Sequence, residues 1–314
     1  MAQLLKLSDY ASRYELDMYH YSSQFSRFKQ ERWKKMKAAW LEANTSSINE
    51  PLEEPEPVEE EWFKAKENFF RRTILKKRCR TTIEAAMPEK NPPEQDILAF
   101  YRGKTKEQLI EAFYEELFQS QLRWASSSLL EESTIAPSLR YNQHLKYFLR
   151  EWPDNFFVLF RPVFHIKSAP VELDIIVITP TEIICMFLLE GKMNSVFDTS
   201  TGRFWNEYAE GTITKTLNPA IPMQRMTSMA ATIMEADGIE LPIRKEIIAP
   251  GSIIDRKGYA GSAELIDKQT LPAWLEAKKR NPSPVKRAQI QAAEALFKHT
   301  LTQSRMKNRP PSDQ

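Results

Sequence analysis

Glycine is scarce in this chain, with eight in 314 residues, and neither a G-x-G-x-x-G nor a Walker pattern occurs. That excludes the nucleotide folds whose phosphates rest on a Gly-rich loop. Cysteine is scarcer: Cys79 and Cys185 only, in neither metal-ligand nor disulfide-framework spacing. A stapled secreted scaffold is excluded, and a reducing cytosol is expected. The four histidines, His20, His144, His165 and His299, are scattered, so no zinc motif forms. An excess of charge is also missing. Lys and Arg number 44 against 42 Asp and Glu, a net charge of +2, so global basicity advertises no polyanion partner. The longest apolar run is broken at Pro180, Thr181 and Glu182 and falls short of a membrane span. The start, MAQLLKLSDY, turns polar by Ser8 and has no apolar signal region. The expectation is a cytoplasmic protein with no membrane partner. Neither a nucleophile elbow nor a Cys/His pattern supports covalent hydrolysis.

What is present is a foldable balance: 42% hydrophobic and 27% charged residues. Residues 1–136 read as an N-terminal helical region. Ser8 is placed as an N-cap, and Tyr10, Tyr14, Phe25, Phe28, Trp33, Met36 and Trp40 recur at helical spacing. An acidic, Pro-rich linker lies near 49–61, NEPLEEPEPVEEE. Two short helices are expected in DILAFYRGKTKEQLIEAFYEELFQSQLRWA. From residue 139 the order becomes helix, strand, hairpin, short strands, helix and strand, a mixed α/β layer. The helix 218–238 begins near Pro219 and ends near Gly238, with Met223, Met226, Met229 and Met234 as core filler. KEIIAPGSII is expected as one strand. Residues 259–314 read as C-terminal helices and a frayed tail.

Residues 171–192, VELDIIVITPTEIICMFLLEGK, carry three carboxylates and an ammonium at the ends of an apolar hairpin. A strand alternates faces with period two, so Glu172 pairs with Asp174 and Glu190 with Lys192. If Pro180–Thr181–Glu182 is a three-residue loop, Thr179 opposes Ile183 and all four charges share one face. A two-residue loop puts the two pairs on opposite faces. In the first register Asp174 and Glu190 can converge on a cation, and hard oxygen ligands suit Mg²⁺ or Mn²⁺. Glu172 is a further candidate ligand, and Lys192 would assist the attacking water. The plainer possibility is a hairpin mouth reaching solvent, with Lys192 paired to Glu190.

This arrangement resembles the nuclease-related domain (NERD) family of the PD-(D/E)xK, restriction-endonuclease-like superfamily. LDIIVITP places Asp174 at the family's strand acid, and LLEGK gives Glu190 and Lys192 as its E-x-K pair. Asn218, Pro219 and Gln224 of NPAIPMQ are similar to the family's N-P-x-x-Q helix start, although two residues longer. Gln143 stands where the family carries a helix Glu. The resemblance covers roughly 139–256. It implies a NERD-like domain over 137–258, a restriction-endonuclease-like mixed sheet flanked by helices. It also implies divalent-metal hydrolysis of phosphodiester bonds in nucleic acid, DNA before RNA. Asp174, Glu190 and Lys192 would then be catalytic and Gln224 would position substrate. The alternative is a catalytically degenerate module that binds nucleic acid or protein.

RRTILKKRCR (71–80) holds six basic residues in ten, flanked by Trp62, Phe63, Phe69 and Phe70. On a helix, Arg71, Arg72, Lys76 and Lys77 would track phosphates while the aromatics stack on bases. The plainer reading is a solvated basic face. The N-terminal helices are a candidate surface for a protein partner. Trp205 and Tyr208 are assigned to packing before base stacking.

Overall fold

The computed structural model describes residues 1–45, 100–166, 169–200, 202–280 and 283–307. The acidic segment 49–61 and the basic segment 62–80, with Arg71, Arg72, Lys76 and Lys77, lie outside the described residues. The chain divides into two compact units: Met1–Lys29 with Tyr114–Gln314, and Gln30–Phe113. The fold is mixed α/β, with a mixed sheet flanked by helices and a helix near the N-terminus.

The chain opens with strand β1 (Gln3–Leu7), where Ser8 was expected to cap a helix. All five residues are buried, and β1 runs parallel to β3 (Phe157–Phe160) as an edge of the main sheet. Ser8 takes φ 50°, a turn conformation rather than a cap. Helix α1 (Met18–Thr45) starts ten residues later, where the Asp17 carboxylate accepts from the His20 N–H at 2.8 Å. Helix α2 (Lys106–Trp124) runs 19 residues; Phe100 and Tyr101 are helical too, and the turn at Arg102 and Gly103 parts the two segments, the second of them longer than expected. Thr105 and Gln108 bond reciprocally at its start, 2.9 and 3.3 Å, which fixes its origin.

Within the smaller unit, the Trp33 and Phe113 rings lie 5.0 Å apart. The Trp40 indole donates to the Lys104 carbonyl at 2.7 Å, and Asn44 brackets the turn 101–103 through Tyr101 O and Gly103 N.

In the larger unit, β2 (Glu131–Glu132), α3 (Pro137–Arg140) and α4 (Gln143–Glu151) precede β3. Next come β4 (Val163–Ile166), β5 (Ala169–Glu172), β6 (Ile175–Ile178) and β7 (Ile183–Leu188). Strands β8 (Val196–Asp198), β9 (Phe204–Ala209) and β10 (Thr212–Leu217) lead to helix α5 (Ala220–Ala236). Then follow β11 (Ile243–Ala249), β12 (Ile253–Asp255), β13 (Glu264–Asp267), α6 (Leu271–Lys279), α7 (Arg287–Lys298) and β14 (Arg305–Met306).

The main sheet has the order β1-β3-β6-β7-β11-β13, antiparallel across β3-β6-β7 and parallel elsewhere. FVLF, IIVI and IICMFL form its middle because strands covered on both faces need unbroken apolar sequence. Helix α5 lies against β7 and β11, and α7 against β6 and α5. Met223, Met226 and Met234 are buried on α5, as core packing requires. Gly238, at φ 64°, ends that helix, since a left-handed residue lets the Ile239 N–H reach back to Met234 O.

KEIIAPGSII is split rather than continuous. Its first part is β11, while β12 joins a second sheet ordered β10-β9-β8-β12. Pro250 and Gly251 form the turn that parts them.

The hairpin register takes the two-residue alternative. Ile178 opposes Ile183, and the Thr179 N–H donates to Glu182 O at 2.9 Å. The Thr179 hydroxyl accepts from the N–H groups of Thr181 and Glu182, at 3.2 and 3.0 Å, and so closes a loop of Pro180 and Thr181. The three-residue loop, and with it the argument that all four charges share one face, is overturned.

Lys6 and Glu246 are the most deeply buried charges of the main sheet among the described residues. Lys6, fully buried, pairs with Glu15 at 3.0 Å and bonds Thr302 at 2.7 Å; burial lowers its pKa despite that carboxylate. Glu246, 1% exposed, pairs with Lys278 at 2.9 Å; burial raises its pKa against the pull of that ammonium.

Gln289, fully buried, donates to Asn155 O at 2.6 Å and Ile178 O at 2.8 Å, tying α7 to the sheet. Gln289→Leu leaves two buried carbonyls without these donors, at about 1–3 kcal/mol each. The urea midpoint should fall by the equivalent of about 2–6 kcal/mol with an unchanged m value. A loss below about 0.5 kcal/mol would show that the tie is dispensable.

Candidate functional site

The candidate site gathers where β6 and β7 part company. Asp174 stands just before β6, outside the ladder, and is half-buried. Its carboxylate accepts from the Leu188 N–H at 2.7 Å. Leu188 ends β7, and the neighbouring Leu189 N–H points the other way, to Ile248 O on β11. The Asp174 carboxylate therefore takes the place of a missing ladder carbonyl.

Arg161 sits at the centre of this mouth, and the sequence reading passed over it. It follows β3 with φ 48°, a costly backbone state for a residue with a Cβ. Its N–H donates to the Asp174 carbonyl at 2.7 Å. Its guanidinium, 36% exposed, approaches Glu190 Oε1 only to 3.6 Å, and Glu190 is itself 55% exposed. The available signal was Arg followed by Pro between two strands, a turn junction whose side chain must leave the sheet.

Electrostatics follow from this packing. Burial pushes the Asp174 carboxyl up to about 6. The Leu188 N–H and Arg161 pull it down, while Glu190 and Glu172 push it further up.

The remaining expected residues are spread out. Glu172 is exposed at the end of β5, opposite Val163 of β4 in a separate two-stranded sheet. The Lys192 N–H donates to the buried Glu207 carboxylate at 2.6 Å, and its ammonium reaches Thr212 Oγ1 at 3.5 Å. Gly191 precedes it by necessity: a Cβ there would meet the Phe197 ring at 2.7 Å and Ser252 Oγ at 2.8 Å. Gln224, exposed on α5, bonds Ser228 at 3.2 Å and accepts from Lys245 at 3.0 Å. Gln143 is exposed at the start of α4, and its amide donates to Tyr141 O at 3.4 Å. The structure thus brings Asp174 and Glu190 together around Arg161, holds Lys192 toward β9 and β10, and leaves Gln224 and Gln143 with other partners.

The chain resembles an RNA phosphodiesterase over part of its length. Over 121 residues, 38% of its length, it is 36% identical to an RNA 2′,3′-cyclic phosphodiesterase of Geobacillus stearothermophilus. The match covers 36% of that protein, so the chain spans about a third of this relative's length. No family model and no solved structure matches the chain.

The expected Mg²⁺ or Mn²⁺ is corrected. No group of three or more His, Cys, Asp or Glu able to hold a metal ion occurs among the described residues. One Asp174 oxygen is spent on a backbone donor, Glu190 faces a guanidinium, and Glu172 belongs to another sheet. The donor set does not fit a hard cation that needs several converging oxygens.

Because folding raises the pKa of Asp174, its ionisation opposes the fold. This cost is absent below pH 3.8, grows as pH rises to about 6, and is complete above that. Asp174→Asn keeps an acceptor for the Leu188 N–H and removes the cost. The variant should melt higher than wild type at pH 8, by up to ~3 kcal/mol of stability, with the gap closing toward pH 4. Melting curves across that range check this, and a gap independent of pH would show an unperturbed carboxyl.

Proposed function

We infer that this protein is a phosphodiester hydrolase acting on nucleic acid. What carries the reading is the Asp174 carboxyl, raised to about 6, within the electrostatic reach of the Arg161 guanidinium, whose contact with Glu190 is long. The likeness to an RNA 2′,3′-cyclic phosphodiesterase supports this class and favours RNA over the DNA expected from the NERD resemblance.

Phosphodiester hydrolysis needs charge stabilisation on the non-bridging oxygens, a base for the attacking water and an acid for the leaving oxygen. Arg161 is the group to hold the phosphoryl oxygens, because its long contact with Glu190 is easily exchanged for a tighter bidentate one. Water forms the new P–O bond and loses a proton to a carboxylate as the P–O bond to the ribose breaks. The departing oxygen takes up a proton in turn. Asp174 exchanges protons near neutral pH, which suits either transfer, and Glu190 is the second carboxylate within reach of Arg161.

A second reading, a catalytically silent module on the same fold, is favoured by one observation. The ammonium of Lys192, the lysine of the E-x-K string, reaches Thr212 Oγ1 on the second sheet, and its backbone N–H is taken by Glu207 there.

The discriminating assay is purified protein with chelator against a ribonucleoside 2′,3′-cyclic phosphate and labelled single-stranded RNA and DNA. Turnover is expected with the cyclic or RNA substrate, with kcat/KM reduced about 10²-fold or more in Arg161→Gln, the loss typical of one removed charge-stabilising donor. Asp174→Asn should abolish the limb of the pH profile near 6. Absence of turnover on every substrate would leave the silent module.

A further inference from the structure

The β9–β10 hairpin presents an unusual outer face. In its antiparallel register Phe204 opposes Leu217, Asn206 opposes Lys215, and Tyr208 opposes Ile213. Opposed residues share a face. Four of the six are large apolar side chains left in solvent: Phe204 44%, Tyr208 43%, Ile213 63% and Leu217 43% exposed. The alternate residues of β9, Trp205 and Glu207, are buried on the inner face. This parity settles the two aromatics differently: Trp205 packs against Tyr259, with rings 6.0 Å apart, whereas Tyr208 faces water.

Charge is arranged along the same hairpin. Lys215 occupies the middle of the face. Arg203 lies 5.8 Å from the Phe204 ring at one end. Lys192 stands behind the hairpin instead: it reaches Thr212 and Glu207, which alternate with the outer residues. Two cations, Arg203 and Lys215, therefore follow a strand pair whose aromatics, four residues apart, sit about 13 Å from each other at the usual rise. On the neighbouring strands the polar row continues from Lys215 and Asn206 to Asp198 of β8 and Asp255 of β12. Those carboxylates repel phosphate, which confines a polyanion to the β9–β10 half.

We propose that this face is a platform for single-stranded nucleic acid, with Phe204 and Tyr208 stacking on bases and Arg203 and Lys215 lining the phosphate path. A cationic track with separated aromatic stations is the arrangement that binds unpaired strands with little sequence preference. The platform deepens the hydrolase reading and rests on it, because a bound strand is the source of the phosphate that Arg161 would hold.

The test is fluorescence anisotropy of the full chain with labelled rU12, dT12 and a duplex of equal length, at several salt concentrations. Single strands should bind in preference to duplex. Phe204→Ala with Tyr208→Ala should lower affinity at least about tenfold, since each stacked base contributes strongly. Phe204→Tyr with Tyr208→Phe should retain binding, which separates stacking from folding. Arg203→Gln with Lys215→Gln should reduce the salt slope by about one to one and a half, at roughly 0.7 per phosphate. Preference for rU12 would assign RNA, and equal binding the chemistry common to both strands.

Unchanged affinity in the double alanine variant overturns the platform. So does light scattering that shows a dimer dissolved by that variant while nucleic-acid binding persists, which assigns the face to a second copy of the chain. The two readings fail separately. Binding that follows the platform variants without any turnover sinks the hydrolase alone, and turnover without platform-dependent binding sinks the platform alone.

Discussion

The Thr179 hydroxyl accepts two backbone N–H groups across the turn between β6 and β7, and the register that results governs the candidate site. With Ile178 opposite Ile183, each inward apolar residue of β6 meets one of β7, and the ladder ends at Ile175 and Met186. Beyond that point the strands diverge and the Leu188 N–H has lost its ladder acceptor. Asp174 supplies one from its side chain. The carboxylate is thereby fixed in place, half removed from water, and raised in pKa. One hydroxyl at one end of the hairpin thus determines the chemistry at the other.

The same hairpin end carries the ion network that steadies its neighbours. Glu182 receives Arg244 at 3.1 Å and Lys278 at 3.2 Å, and Lys278 also holds the buried Glu246. Removing a single partner of so deeply buried a carboxylate is destabilising because the charge left behind has no water. Lys6 shows the same economy on the far edge, where Glu15 and Thr302 satisfy an ammonium on a strand otherwise apolar. Both pairs unite residues distant in sequence, so they define which segments must meet.

Legibility of the sequence followed the range of the interactions. The strands FFVLF, IIVI and IICMFL, the helix ending at Gly238 and the mixed α/β class were readable because continuous apolar runs and a left-handed glycine are local signals. The β1 strand was not, because QLLKL is too short to show a period and its lysine finds a partner only through Glu15 and Thr302. Register was not readable either. Pro180 marks a turn in either loop length, and the choice lies in hydrogen bonds of the Thr179 side chain. At the site, Asp174 and Glu190 were singled out from sequence, but Arg161 needed the fold, which sets three separate segments around one guanidinium. The metal failed for the same reason: its ligand set rested on a parity that the turn reversed.

Glu207 supplies the last link between the parts of the larger unit. It is buried on the inner face of β9, and its carboxylate accepts the Lys192 N–H two residues beyond Glu190. Gly191 between them has no room for a Cβ against Phe197 and Ser252, so the connecting segment is pinned on both sides. The second sheet is therefore no independent appendage. Its inner face fixes the backbone that follows Glu190, and its outer face carries the aromatics and cations. In the proposed hydrolase a substrate phosphate would enter the mouth where Arg161 holds Glu190. Glu190 would be the group displaced, because it is the more exposed partner and its contact is the longest in that cluster. Substrate phosphate and Glu190 then compete for one guanidinium, and the carboxylate released by that competition is left beside Asp174, where it raises the proton affinity of the acid still further.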